Sequence, residues 1–146
     1  MNRVSPFLAT AWAQRVMTGI LLSVALLAPV VASAVSLSVY ESARSDPARM
    51  SKIFHEAYST ALSKTVTQLR SSRFADGKVK SPQRLQNDRK LADAVDALAE
   101  HPTDKQSDAL IVMIEQYAAA QPNTELEDVI SSFLLSEAKK QLKSRN

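Results

Sequence analysis

The sequence predicts an all-α protein, a small bundle of about four helices behind an N-terminal signal peptide or signal anchor. Three observations carry that prediction. Four segments repeat apolar residues at the three-and-four spacing of a helix face. Their starts carry Asp, Ser or Thr capping residues, twice followed by proline. No alternating run is long enough to propose a strand.

Residues 1–34 read as an export address. Arg3 and Arg15 precede Val16–Val31, which carries no charge, and Ala32-Ser33-Ala34 offers the small-x-small pattern of a signal peptidase site. Pro29 would break the leader helix just before that site. The competing reading is a retained anchor. The first charge after Arg15 is Glu41, so 16–40 is uncharged and long enough to cross a bilayer, which needs about 20 residues. Under either reading the domain faces away from the cytoplasm. It is then periplasmic or secreted, or held to the inner membrane by 16–40, its only expected membrane contact.

Residues 35–46 are Ser-rich without sustained periodicity and read as a spacer, leaving 47–146 as one helical domain. Asp46-Pro47 opens the first helix with a cap and a proline at the first turn. Met50, Ile53, Phe54, Ala57, Tyr58, Ala61, Leu62, Val66 and Leu69 form its apolar face, ending near Arg73. The loop Ala75-Asp76-Gly77-Lys78 follows. Ser81-Pro82 opens a second helix with a thinner stripe, closed by His101-Pro102. Thr103 and Gln106 have capping-box spacing for a third. Its Leu110–Ile114 run is apolar on all sides, which predicts the most central helix. Thr124 and Glu127 have the same spacing before the fourth, whose end collects Lys139, Lys140, Lys143 and Arg145, a charge that complements the helix dipole.

The residues exclude several chemistries. Gly77 is the only glycine after the leader, so neither a P-loop nor a dinucleotide fingerprint can be written. With no cysteine there is no thiolate nucleophile, disulfide, haem-attachment motif or cysteine-ligated metal. His55-Glu56 begins like a zinc-protease helix, but position 59 is Ser, so the second histidine ligand is missing. His55 reads as solvated and His101 as a helix-end residue. Ser136-Glu137-Ala138-Lys139 matches Ser-x-x-Lys without that class's companion motifs. Asp93, Asp96, Glu100, Asp104 and Asp108 form an acidic series without an EF-hand loop, and read as a solvated surface. No catalytic residue, cofactor or metal ligand is assigned.

Charge is segregated along the chain. Residues 35–90 carry a net +6, residues 91–138 a net −9, and the last eight a net +4. Such fields either complement one another within the fold or steer a charged partner. The positive charge concentrates around the first interhelical loop. Arg70, Arg73, Phe74, Lys78, Lys80, Arg84, Arg89 and Lys90 are therefore the candidate partner-binding patch. The reading that follows is an exported, non-enzymatic interaction or accessory protein, of the kind an envelope-spanning secretion or conjugation apparatus uses, with a protein partner or a second copy of itself. The alternatives are a helical regulator that binds polyanions or nucleic acid through the basic loop, and a periplasmic chaperone. The export signal argues against intracellular DNA.

Overall fold

The computed structural model describes residues 34–145, and the leader expected at 1–34 lies outside them but for Ala34. Five helices follow in order: α1 (Leu37–Ser42), α2 (Pro47–Arg70), α3 (Pro82–Glu100), α4 (Asp104–Ala120) and α5 (Leu126–Arg145). The fold is all-α. Among the described residues there are no strands, only the isolated bridges Ser36–Glu125 and Arg73–Val79. No described helix is long and apolar enough to cross a membrane.

The caps act as their chemistry requires. Asp46 and Ser81 accept from the backbone N–H groups of Arg49 and Arg84, each with proline in the first turn. Thr103 and Gln106 form the full reciprocal capping box. The second expected box does not form. Thr124 donates its hydroxyl to Gln121 Oε1 instead, and in the first turn of α5 the Glu125 carbonyl accepts from the N–H groups of Asp128 and Val129.

Two further expectations are corrected. The spacer at 35–46 contains α1, capped by the Ser36 hydroxyl on Val39 N–H, with Leu37 fully buried and Tyr40 nearly so. The end of the 16–40 stretch is thus bundle core. The Leu110–Ile114 helix is also not the central one. α4 buries only Ser107, Leu110 and Ile114, and Val112 is 49% exposed. The central trio is α2, α3 and α5, which pack pairwise, while α4 lies against α5 and α1. Phe54, Tyr58, Leu62, Val95, Leu98, Ile130, Phe133 and Leu134 fill the space between them. Each Leu-sized side chain so buried stabilises by about 1.5–3 kcal/mol.

Specific contacts tie α1 and the start of α5 to the rest of the bundle. Leu37 N–H donates to Thr124 O and Leu126 N–H to Val35 O, which ties the start of α5 to the start of α1. Tyr40 on α1 meets Phe54 in the first half of α2, with ring centroids 6.5 Å apart. The Thr65 hydroxyl then reaches Ser131 at 3.2 Å, placing the second turn of α5 against the later part of α2. Lys64 pairs with Glu127 in the first turn of α5, so the first two turns of α5 meet the later part of α2. Beyond that contact α5 continues to Arg145, whereas α2 stops at Arg70.

Candidate basic surface at the loop end

The connection between α2 and α3 is held at every turn. Phe74 N–H donates to Lys78 O at 2.8 Å, Gly77 N–H to Phe74 O at 2.9 Å, and Lys80 N–H to Ser72 O at 2.9 Å. Gly77 sits at φ +90°, a conformation that disfavours any side chain although the space beside it is open. Asp76 accepts from Lys78 N–H and closes the tip.

Beneath the loop lies a buried ion cluster. The Lys80 side chain is only 3% exposed and its ammonium lies 2.9 Å from Asp88 Oδ2. The same ammonium donates to the Gln68 and Leu69 carbonyls, two of the acceptors left open at the end of α2. Arg84 Nε donates to Asp88 Oδ1 at 3.0 Å. Burial pushes the Asp88 carboxyl up, but the hydrogen bonds and charges of Lys80 and Arg84 prevail and hold it below its ordinary value. Both cations also approach the Phe74 ring, Arg84 at 5.0 Å and Lys80 at 5.7 Å from its centroid.

The eight patch residues therefore divide. Lys80 is buried, contrary to its expected role as a contact residue, because the end of α2 and Asp88 need its charge. Arg70 reaches across to Asp93 and Asp96, both at 2.9 Å, and these bonds raise its pKa. Arg84 serves Asp88, and Phe74 is half-buried beneath it. Arg73, Lys78, Arg89 and Lys90 are exposed, and no described carboxylate lies within ion-pair distance of them. Arg70 with Asp93 and Asp96 is internal complementation, and the other four face solvent.

Asp88 escaped notice in the sequence, although its i,i+4 spacing from Arg84 was a usable signal. His55 is half-buried rather than solvated, its ring edge-on to Phe54 at 6.2 Å. His101 caps α3, donating its N–H to Ala97 O. In the acidic series, Asp93 and Asp96 bind Arg70, while Glu100, Asp104 and Asp108 stay exposed. The one described carboxylate group tight enough to share a cation is elsewhere. Glu125, Glu127 and Asp128 bring oxygens within 4.8 Å of one another at the start of α5, where the helix dipole and Lys64 explain them.

No protein-family model matches this chain, and neither a curated protein nor a solved structure was found to resemble it.

Proposed function

We propose that this chain is an exported, non-enzymatic accessory protein that docks a negatively charged partner through the loop end of its bundle. The observation that carries the reading is the division of the loop cations. Lys80, Arg84 and Asp88 fix the loop from below and Arg73 donates to the Gly77 carbonyl, while Arg73, Lys78, Arg89 and Lys90 are exposed and have no acidic partner among the described residues. A rigid loop loses little ordering entropy on contact, and unpaired surface charge steers encounter. Export rests on the leader pattern of residues 1–34. The setting that suits such a module is an envelope-spanning assembly.

The test is crosslinking in whole cells, with identification of both the captured partner and the N-terminus of the recovered chain. A variant carrying Arg73→Glu, Lys78→Glu, Arg89→Glu and Lys90→Glu should lose the crosslinked species while keeping its helical circular dichroism. Arg70, Lys80 and Arg84 are left intact because their replacement would disturb the fold itself. Capture undiminished by the variant, or a chain recovered from cytosol with its initiator methionine, refutes the proposal.

A further inference from the structure

We infer that the Ala34–Val35 bond is a processing site that folding closes. A signal peptidase can cut it only while α1 is undocked, so a chain that folds first keeps its leader. This rests on the export reading above and adds what decides whether the leader is removed.

The bond follows the Ala32-Ser33-Ala34 pattern. Only Val35 and Ser36 separate it from α1, which begins at Leu37. Both are fixed. The Val35 carbonyl accepts from Leu126 N–H at 2.8 Å, Leu37 N–H donates to Thr124 O at 2.8 Å, and Ser38 N–H donates to Pro122 O at 3.0 Å. Ser36 lies opposite Glu125 in the antiparallel bridge, and its hydroxyl caps α1. Val35 packs against the core, Leu37 is fully buried, and Tyr40 is nearly so with its ring tilted against Phe54 of α2.

A peptidase needs the opposite arrangement. It holds the chain extended across the scissile bond, commonly by adding it as a strand whose main-chain groups pair with the enzyme. Here the Val35 carbonyl and the Leu37 N–H are already paired with the α4–α5 turn, and the chain coils into a helix two residues past the bond. Freeing Val35 and Ser36 costs their ties to that turn, and straightening the chain beyond them pulls Leu37 from the interior. Cleavage of a folded chain therefore proceeds through the open state and tracks its population. The reaction is hydrolysis. Water adds across the bond, Ala34 leaves with the leader as a carboxylate, and Val35 keeps a free α-amine. The two readings of the N-terminal segment, a removed leader and a retained anchor, become two outcomes of one race between cutting and the docking of α1.

The test uses the full chain, folded in mild detergent as judged by circular dichroism, with a purified signal peptidase. N-terminal sequencing follows the new Val35 end. A peptide of residues 26–42 has no bundle to dock on and sets the unhindered rate. The full chain should be cut at least about ten-fold more slowly, α1 being open less than a tenth of the time. Leu37→Ala should speed its cutting by about 30-fold or more, because the cavity favours the open state by that factor. Val39→Ala, on the exposed side of α1, should leave the rate unchanged. Should Leu37→Ala fail to fold, a Gly-Ser-Gly-Ser insertion between Ala34 and Val35 keeps the docked residues intact and should restore the peptide's rate. A full chain cut as fast as the peptide overturns the inference. So does an insertion variant as resistant as the parent while a peptide with the same insertion is cut. In both cases the export reading stands. A peptide that resists the enzyme overturns the inference together with the removable leader, and leaves the anchor.

Discussion

A lysine with 3% of its side chain exposed is held only where its charge is fully answered, and Lys80 is answered by Asp88 and two helix-end carbonyls. Removing one member of a buried ion cluster strands the other. Lys80→Met should therefore destabilise the protein by about 3 kcal/mol, at the low end of the usual range because Arg84 remains on Asp88. Urea unfolding reads the change, and combining it with Asp88→Leu should cost less than the two single losses together. An additive pair would show that Lys80 acts through its stem alone. The pH dependence has a definite sign. The Asp88 carboxyl lies lower in the folded chain than its unfolded value of 3.8, so its stabilisation is complete above that value and disappears as pH falls through the folded one. Asp88→Asn should flatten the stability curve on the acid side of the unfolded value of 3.8. An unchanged acid limb in the variant would remove Asp88 from the account. None of this was legible from Lys80 alone, since a lysine in a polar loop is solvated unless the tertiary fold brings it an acid.

At the level of the element, sequence served best where a local rule was complete. Asp46-Pro47, Ser81-Pro82 and the Thr103–Gln106 box each start a helix where their chemistry places it. The Thr124–Glu127 box had the right spacing but lost to tertiary contacts, because Glu127 turns toward Lys64. α1 was illegible since six residues are too few to display a period, although it supplies a fully buried leucine. Leu37→Ala should cost about 2–5 kcal/mol by the cavity it leaves. Val39→Ala, at 43% exposure on the same helix, should change stability by less than about 0.5 kcal/mol. Equal effects in thermal unfolding would mean α1 is not docked as described. Glu127 tests the start of α5. Burial raises its carboxyl and Lys64 only partly offsets this, with Glu125 and Asp128 adding like charge. A carboxyl raised on folding detracts from stability at neutral pH and ceases to do so as pH falls below its unfolded value of 4.5. Glu127→Gln should thus raise the thermal midpoint at pH 7 and lose that advantage below about pH 4. A midpoint lowered at pH 7 would show that the helix dipole outweighs the burial cost.

Over the whole molecule, the charge blocks could be read from sequence but their arrangement could not. Periodicity says which face of a helix is buried and nothing about which helices meet, so the contact of the second turn of α5 with the later part of α2 could not be read from sequence. The same limit explains why α4 was mistaken for the centre. Apolar residues all round Leu110–Ile114 are consistent with burial, yet α4 joins the bundle mainly through α5 and α1. Its place has a dynamic consequence. α4 contributes Ser107, Leu110 and Ile114 to the interior, whereas α3 contributes Asp88, Ala92, Ala94, Val95, Leu98 and Ala99. Few buried contacts and an exposed outer face make a segment open at lower free energy than the global unfolding. Native-state hydrogen exchange should therefore show α4 amides exchanging through a partial opening, while α2, α3 and α5 exchange only with complete unfolding. α1 should open with α4, because Leu37 and Ser38 donate their N–H groups to Thr124 and Pro122 in the turn that ends α4. Exchange of α4 at the same free energy as α2 would make the bundle a single cooperative unit and place α4 within its core.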